Sequence, residues 1–173
     1  LIHVQDLGSY KVLASTTDDS IGEAIDKVAR LLNIDYGDNE YKSPGAALEQ
    51  KAKLYKQLSP ETISKYNVQF TVPLRGRRKQ DIEYSFSGLK SNVLRHVRFV
   101  EAQVETSADL NYQTNSFMSN NRNLHNTGSD LPEDQRICIA HSFQDVAFIH
   151  LLEKTEQALQ KMDIQGLHLK DFV

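Results

Sequence analysis

Residues 17–32 constrain the fold more than any other stretch. In T-D-D-S-I-G-E-A-I-D-K-V-A-R-L-L, the apolar residues Ile21, Ala24, Ile25, Val28, Leu31 and Leu32 recur at the spacing of one helix face. Such a helix must lay its stripe on another element. Ser20, followed three residues later by Glu23, reads as a capping box. One cap starts a helix, yet Asp18, Asp19, Gly22, Glu23 and Asp26 all crowd its first half. That surplus suggests a working helix end. For Asp18, Asp19 and Glu23 there is a plainer reading, since a helix N-terminus favours acids by about 0.3–1 kcal/mol. Asp26 lies a turn further in and off the apolar stripe, where a solvated face is the plainer reading.

The flanking segments place this helix between strands. Residues 1–16 predict two hairpin strands, Leu1 to Asp6 and Tyr10 to Thr16, joined by Leu7-Gly8-Ser9. Residues 17–66 are helical. Ser43-Pro44 opens a helix to about Leu58, and Ser59-Pro60-Glu61 repeats the signature for a short one. Residues 67–106 hold a basic segment and a helix. Val68 to Val72 alternates like a strand, Ile82 to Phe86 is extended, and Ser87 caps a helix carrying Leu89, Val93, Val97, Val100 and Val104. Residues 107–129 lose the pattern, and six asparagines from Asn111 to Asn126 predict a solvated, disordered insertion. Residues 130–173 give a long helix, with Pro132 in its first turn, and the start of a strand after Gly166. The apolar residues expected on the long helix are Ile137, Ala140, Ala147, Leu151, Leu152, Leu159 and Met162. The order predicts an α/β or α+β chain with a helical insertion in a sheet-based domain.

Composition narrows the function classes. The 173 residues carry a formal charge of −3, so any nucleic-acid contact must be a local patch. The single Cys138 cannot form an internal disulfide and fits a reducing compartment. No apolar run reaches the ~20 residues of a membrane span. The chain opens on Leu1 in a strand and stops at Val173 in another, which reads as an internal piece of a longer protein.

Three strings then line up: Asp18-Asp19-x-x-Gly22-Glu23-x-x-Asp26-Lys27-x-x-x-Leu31-Leu32, Ser85-Phe86-Ser87-Gly88-Leu89-Lys90, and Ser142-Phe143-Gln144 with Lys154 beyond it. In this order and separation they resemble the TsaD family, the threonylcarbamoyltransferases acting on tRNA, in its bacterial and mitochondrial branch. The resemblance implies an actin-like, sugar-kinase-like ATPase fold. This chain would supply most of the helical insertion of the second lobe, with its first hairpin. The family's S-G-G-H-T and V-S-G-G-V-x-x-N turns, its metal-binding His pair and its late Asp are not in the sequence, so no metal ligand is assigned here and the piece alone is expected to be inactive.

The resemblance carries over few residues. Asp26 matches the acid that binds the ribose hydroxyls of threonylcarbamoyl-adenylate, a task for which a carboxylate is suited because it accepts two hydroxyl hydrogen bonds in a fixed geometry. Gly45 matches a glycine of the P-G-G-P-x-x-E segment, where backbone approaches the nucleotide, and Glu49 matches the acid four residues on. This sequence departs there, reading Ser43-Pro44-Gly45-Ala46-Ala47-Leu48-Glu49 after extra residues at about 37–42. Anchoring on Glu49 selects Gly45, whereas anchoring on the proline selects Ala46. The helical register of Leu48-Glu49 favours the first. No catalytic side chain is assigned. Ser85 and Ser87 lack a triad partner at useful spacing, and His141 and His150 are nine residues apart, too far to share a metal on one helix face.

From Val72 to Val100 there are seven cations, Arg75, Arg77, Arg78, Lys79, Lys90, Arg95 and Arg98, against Asp81 and Glu83, a local charge of +5. A solvated surface explains such a run, and so does phosphate contact with tRNA. Arg75, Arg77, Arg78 and Lys79 are the candidates. The resemblance further implies one divalent metal and threonylcarbamoyl-adenylate as co-substrate in the intact protein. It implies as partners tRNA, the enzyme that makes the adenylate, and a second copy or a related subunit. The Asn-rich insertion and the lengthened glycine loop point to an organelle, hence mitochondrial localisation, with the bacterial cytoplasm as the alternative. A non-catalytic nucleotide-binding or scaffold subunit of the same fold is the competing function, and a plain interaction module is a third.

Overall fold

The computed structural model describes residues 1–35, 43–75, 82–108 and 131–164. A hairpin, β1 (Ile2–Asp6) and β2 (Ser9–Val12), is antiparallel with Ile2 opposite Val12 and Val4 opposite Tyr10. Gly8, at φ 77°, supplies the left-handed residue of its turn, and the register shifts between Val4 and Asp6.

The expected second strand, Tyr10 to Thr16, is in fact broken. Leu13 N donates to Leu1 O at 2.9 Å and the Leu1 amino group donates to Ala14 O at 2.9 Å. The chain leaves the hairpin there. β3 (Ser15–Thr16) then pairs in parallel with β4 (Glu83–Tyr84), setting Ser15 against Glu83 and Thr16 against Tyr84. Period-two alternation survives such a change of partner, which is why the sequence reads as one strand. Val68 to Val72 also keeps its alternation, with Gln69 and Thr71 exposed and Val72 buried, but no strand among the described residues pairs with it.

The helices follow their caps. In α1 (Ile21–Leu31) the Ser20 hydroxyl accepts from Glu23 N at 3.3 Å. The reciprocal half of the expected box is replaced by an ion pair from Glu23 to Lys27 at 2.6 Å. Asn33, at φ 49°, ends α1, with Ile34 N donating to Ala29 O and Asn33 N to Arg30 O, both at 3.0 Å. In α2 (Pro44–Lys53) Ser43 accepts from Ala46 N at 3.2 Å. The expected continuation to Leu58 tightens into a 3-10 turn at Leu54–Gln57. α3 (Pro60–Tyr66) is capped by Ser59. α4 spans Ser87–Ala108 and α5 spans Glu133–Ile164. Of the insertion expected at 107–129, residues 107 and 108 belong to α4 and the rest lies outside the described residues, as do Arg77, Arg78, Lys79 and the final strand.

α2 lies against α5 and α1, and α1 also touches α4. The shared core holds Val28, Leu32, Leu48, Leu89, Val93, Val97, Ile139 and Phe143, each at most 1% exposed. Phe143, of the S-F-Q string, is therefore a core residue. Its neighbour Ser142 donates to Val68 O at 2.8 Å and holds the unpaired extended segment onto α5. Ile137, Ala140, Ala147 and Met162 face inward as expected, but Leu152 does not: it is 68% exposed. A 32-residue helix drifts past its neighbours, so one apolar row cannot stay covered along its whole length. The architecture is α/β and mostly helical, consistent with an actin-like fold. Phe143→Ala should cost about 3–5 kcal/mol in denaturant unfolding, since the whole ring is in contact. A loss below ~1 kcal/mol would mean that Phe143 does not sit in this core.

Candidate functional site

Two clusters involve α1, one at its entry loop and one at Asp26, midway along the helix. The first ties its entry loop to α4. Asp18 Oδ1 accepts from Phe86 N at 2.8 Å and Ser87 N at 3.2 Å, and its Oδ2 accepts from the hydroxyls of Ser85 at 2.6 Å and Ser87 at 2.8 Å. These backbone N–H groups are orphan donors at the start of α4. Ser87 was expected to cap α4, but it is the first helical residue and gives its hydroxyl away. Phe86 holds the cap position, where its carbonyl accepts from Lys90 N at 3.1 Å, and its ring cannot cap. Asp18 supplies the cap from 68 residues away in sequence. Partial burial would raise the Asp18 pKa, but the hydrogen bonds from Ser85, Phe86 and Ser87 outweigh it and lower it to about 2.

Asp19 reinforces the tie. It accepts from Lys27 at 2.9 Å and from Lys90 at 3.3 Å, and the Lys27 bond is the main cause holding its carboxyl below the ordinary value. Lys90 therefore belongs to an ion pair as well as to the basic count. His150, on α5, closes the cluster from the other side. It is fully buried, packs against the rings of Tyr84 and Phe86, and accepts from Ser85 N at 3.2 Å through Nε2. Burial first, then the nearby Lys154 charge, push its pKa down against smaller opposing effects of Glu153 and Asp18. A neutral imidazole with Nε2 unprotonated suits its role as acceptor. Sequence reasoning set His150 aside only as a metal ligand shared with His141, and missed this contact. The one available signal is its place between Ala147 and Leu151 on the apolar face of α5.

The second cluster brings together two of the predicted binding residues. Gly45 N donates to Asp26 Oδ1 at 3.0 Å. Gly45 is the second residue of α2, so this N–H is one of the four that the helix leaves unsatisfied. A Cβ at Gly45 would stand 3.1 Å from Ile25 Cγ2 and 3.2 Å from Asp26 Oδ1, tighter than ordinary contact. Only a bare Cα lets the first turn of α2 come this close to α1. Ala46 donates instead to Ser43. Glu49 lies one turn along α2 from Gly45, is exposed, and pairs with Lys53 at 2.8 Å. The structure thus gathers Asp26 and Gly45 and leaves Glu49 further along α2, paired with Lys53.

Of the four basic candidates, Arg75 is described. It forms an ion pair with Glu153 on α5, and that partner raises its pKa. Arg77, Arg78 and Lys79 lie outside the described residues. Among the described residues no three His, Cys, Asp or Glu side chains converge as a metal site. No described helix is long and apolar enough to cross a membrane.

The Asp18 network predicts an acid-labile tie. Its folded-state pKa is depressed, so its contribution to stability is fully present above the unfolded value near 3.8 and is lost as pH falls through about 2. Unfolding monitored from pH 5 to pH 2 should show that loss, and Asp18→Ala should remove that step while lowering stability at pH 7. An identical acid profile in the variant would exclude the network.

Comparison with known proteins identifies the family. The family model described as "TsaD: tRNA N6-adenosine threonylcarbamoyltransferase" matches residues 1–170. A protein of Arabidopsis thaliana named "Probable tRNA N6-adenosine threonylcarbamoyltransferase, mitochondrial" is 33% identical over 159 residues, covering 92% of this chain and 27% of that protein. A Nitrosomonas eutropha protein named "tRNA N6-adenosine threonylcarbamoyltransferase" is 36% identical over 110 residues, covering 64% and 28%. A Crocosphaera subtropica protein of the same name is 42% identical over 97 residues, covering 56% and 25%. The chain thus spans about a quarter of the length of these relatives. With the match running from its first strand to beyond α5, the chain belongs to the TsaD family.

Proposed function

We propose that the intact protein transfers a threonylcarbamoyl group from threonylcarbamoyl-adenylate to the adenine N6 beside the anticodon of tRNA. In this reading the chain supplies the nucleoside end of the site from the second lobe of the actin-like fold, as most of its helical insertion together with its first hairpin. The observation that carries it is the Asp26–Gly45 contact. A carboxylate offers about four acceptor sites. The Gly45 N–H occupies one and fixes the orientation of the group, which then presents acceptors to the paired hydroxyls of a ribose. Gly45 also keeps the start of α2 free of side-chain bulk, and it fits this role better than Ala46, whose N–H is taken by Ser43.

Glu49 joins the site by releasing Lys53. An exposed pair of this kind holds by only about 0–1 kcal/mol, so the release is inexpensive. The Asp18 and Asp19 ties hold α1 in place and with it Asp26. The adenine amino nitrogen forms the new bond to the carbamoyl carbon, the mixed-anhydride bond to phosphate breaks, and AMP leaves. The contribution of this chain is positioning. The metal implied by the family supplies charge stabilisation when bound, with ligands outside these residues. tRNA, the enzyme that makes the adenylate, and a second copy or related subunit are the proposed partners. The mitochondrial relative supports a mitochondrial site of action, with the bacterial cytoplasm as the alternative.

In the intact protein, Asp26→Ala should weaken adenylate binding by about 1–3 kcal/mol, the worth of a charged hydrogen bond. Unchanged affinity by calorimetry would remove Asp26 from the site. Replacing Arg77 and Arg78 by Glu should weaken tRNA binding and flatten the dependence of log K on log salt by more than one unit. If thermal stability alone changes, the basic run is structural.

A further inference from the structure

A groove of about 350 Å³ lies between the extended segment 68–72 and α4, away from the Asp26 contact. That volume falls within the ordinary range of ligand pockets. On its α4 wall Asn92, Arg95, His96 and Phe99 follow at i, i+3, i+4 and i+7 and so share one face. Phe70 forms the other wall and meets the His96 ring edge-on, with centroids 6.1 Å apart and planes at 89°. Burial lowers the His96 pKa and favours the neutral ring. Phe99 is 58% exposed, a large aromatic face turned to solvent. The Arg95 guanidinium is exposed and tethered to Asn92 Oδ1 at 3.0 Å, which holds its plane beside the groove. The lining has a cation and no acid.

We propose that this groove receives one unstacked base of the RNA partner, stacked on Phe99, with Arg95 at the base edge or the adjoining phosphate. Sequence-tolerant recognition of single-stranded nucleic acid uses this combination of aromatic faces and guanidinium groups. In sequence, the segment 68–72 leads through Pro73 and a left-handed Leu74, at φ 54°, into Arg75 and the basic run. An added peptide strand is the other occupant such an unpaired segment suggests. The edge is poor for it: Val68 O is already held by Ser142, and Pro73 has no N–H to donate. The proposal rests on the reading that the intact protein acts on tRNA, and it adds a site distinct from the nucleotide contact at Asp26.

The test uses the intact protein and a labelled RNA stem-loop with a single-stranded loop, with a fully paired duplex of equal length as control. Phe99→Ala should weaken stem-loop binding about tenfold, leave duplex binding unchanged, and leave the melting temperature unchanged because the ring is mostly exposed. Phe99→Trp should restore the affinity, and Arg95→Ala should weaken the stem-loop in the same direction. Stem-loop affinity unchanged in Phe99→Ala, while the Arg77 and Arg78 reversals still weaken it, overturns the groove and spares the tRNA reading. A wild-type protein that binds neither RNA overturns both. A loss that Trp does not restore, or that comes with a lowered melting temperature, overturns the stacking site and assigns Phe99 a structural role.

Discussion

The structure depends on one carboxylate placed at the start of a helix that is not its own. Asp18 gathers four donors from three consecutive residues, and two of them are the backbone N–H groups that open α4. Without it those groups would face water or go unpaired, since Phe86 offers no side-chain acceptor. The contact also joins the parallel pair of β3 and β4, because Ser85 follows β4 and Asp18 follows β3. His150 then accepts the Ser85 N–H from α5. One turn of chain is thus held from the strands, from α1 and from α5 together, and small errors in any of these would be felt at all of them.

This arrangement accounts for the placing of Asp26. The residue lies two turns along α1 from a rigid entry loop, and its helix is held by Asp19 through Lys27 and Lys90. Its carboxylate is then steadied by the α2 N-terminus through Gly45. The contact uses the dipole of α2 as well as one hydrogen bond, since an acid at a helix N-terminus is favoured electrostatically. Rigid support is the general requirement for positioning chemistry, and here two of the supports are helix caps, Asp18 on α4 and the α2 N-terminus on Asp26, while the Asp19 ties are ion pairs.

Charge is divided in the same way. Read as a list, the region from Val72 to Val100 is strongly basic. In the fold, Arg75 is paired with Glu153 and Lys90 with Asp19, so part of that charge holds helices together. Arg95 is turned to the groove beside Phe99. Formal charge counts residues, whereas the field a partner meets depends on which of them already have an acid beside them.

The helices were legible because their determinants are local. The stripe of α1, the capping serines Ser20, Ser43 and Ser59, and the prolines Pro44 and Pro60 act within a turn or two of their own positions. Asp26 and Gly45 stood out through motif resemblance, but their contact did not, for they are 19 residues apart and meet only when α1 packs on α2. The break after Val12, the cap of α4 by Asp18, and the contact of Ser85 with His150 were likewise invisible. Each is a hydrogen bond between distant segments, and no spacing rule encodes which distant donor lacks a partner. Sequence alone determined where α1, α2 and α3 begin and which face of α1 is apolar, since propensity, capping and periodicity are short-range. Tertiary structure decided which acid caps which helix and which cations are neutralised, because these follow from unsatisfied groups that exist only once the elements have packed.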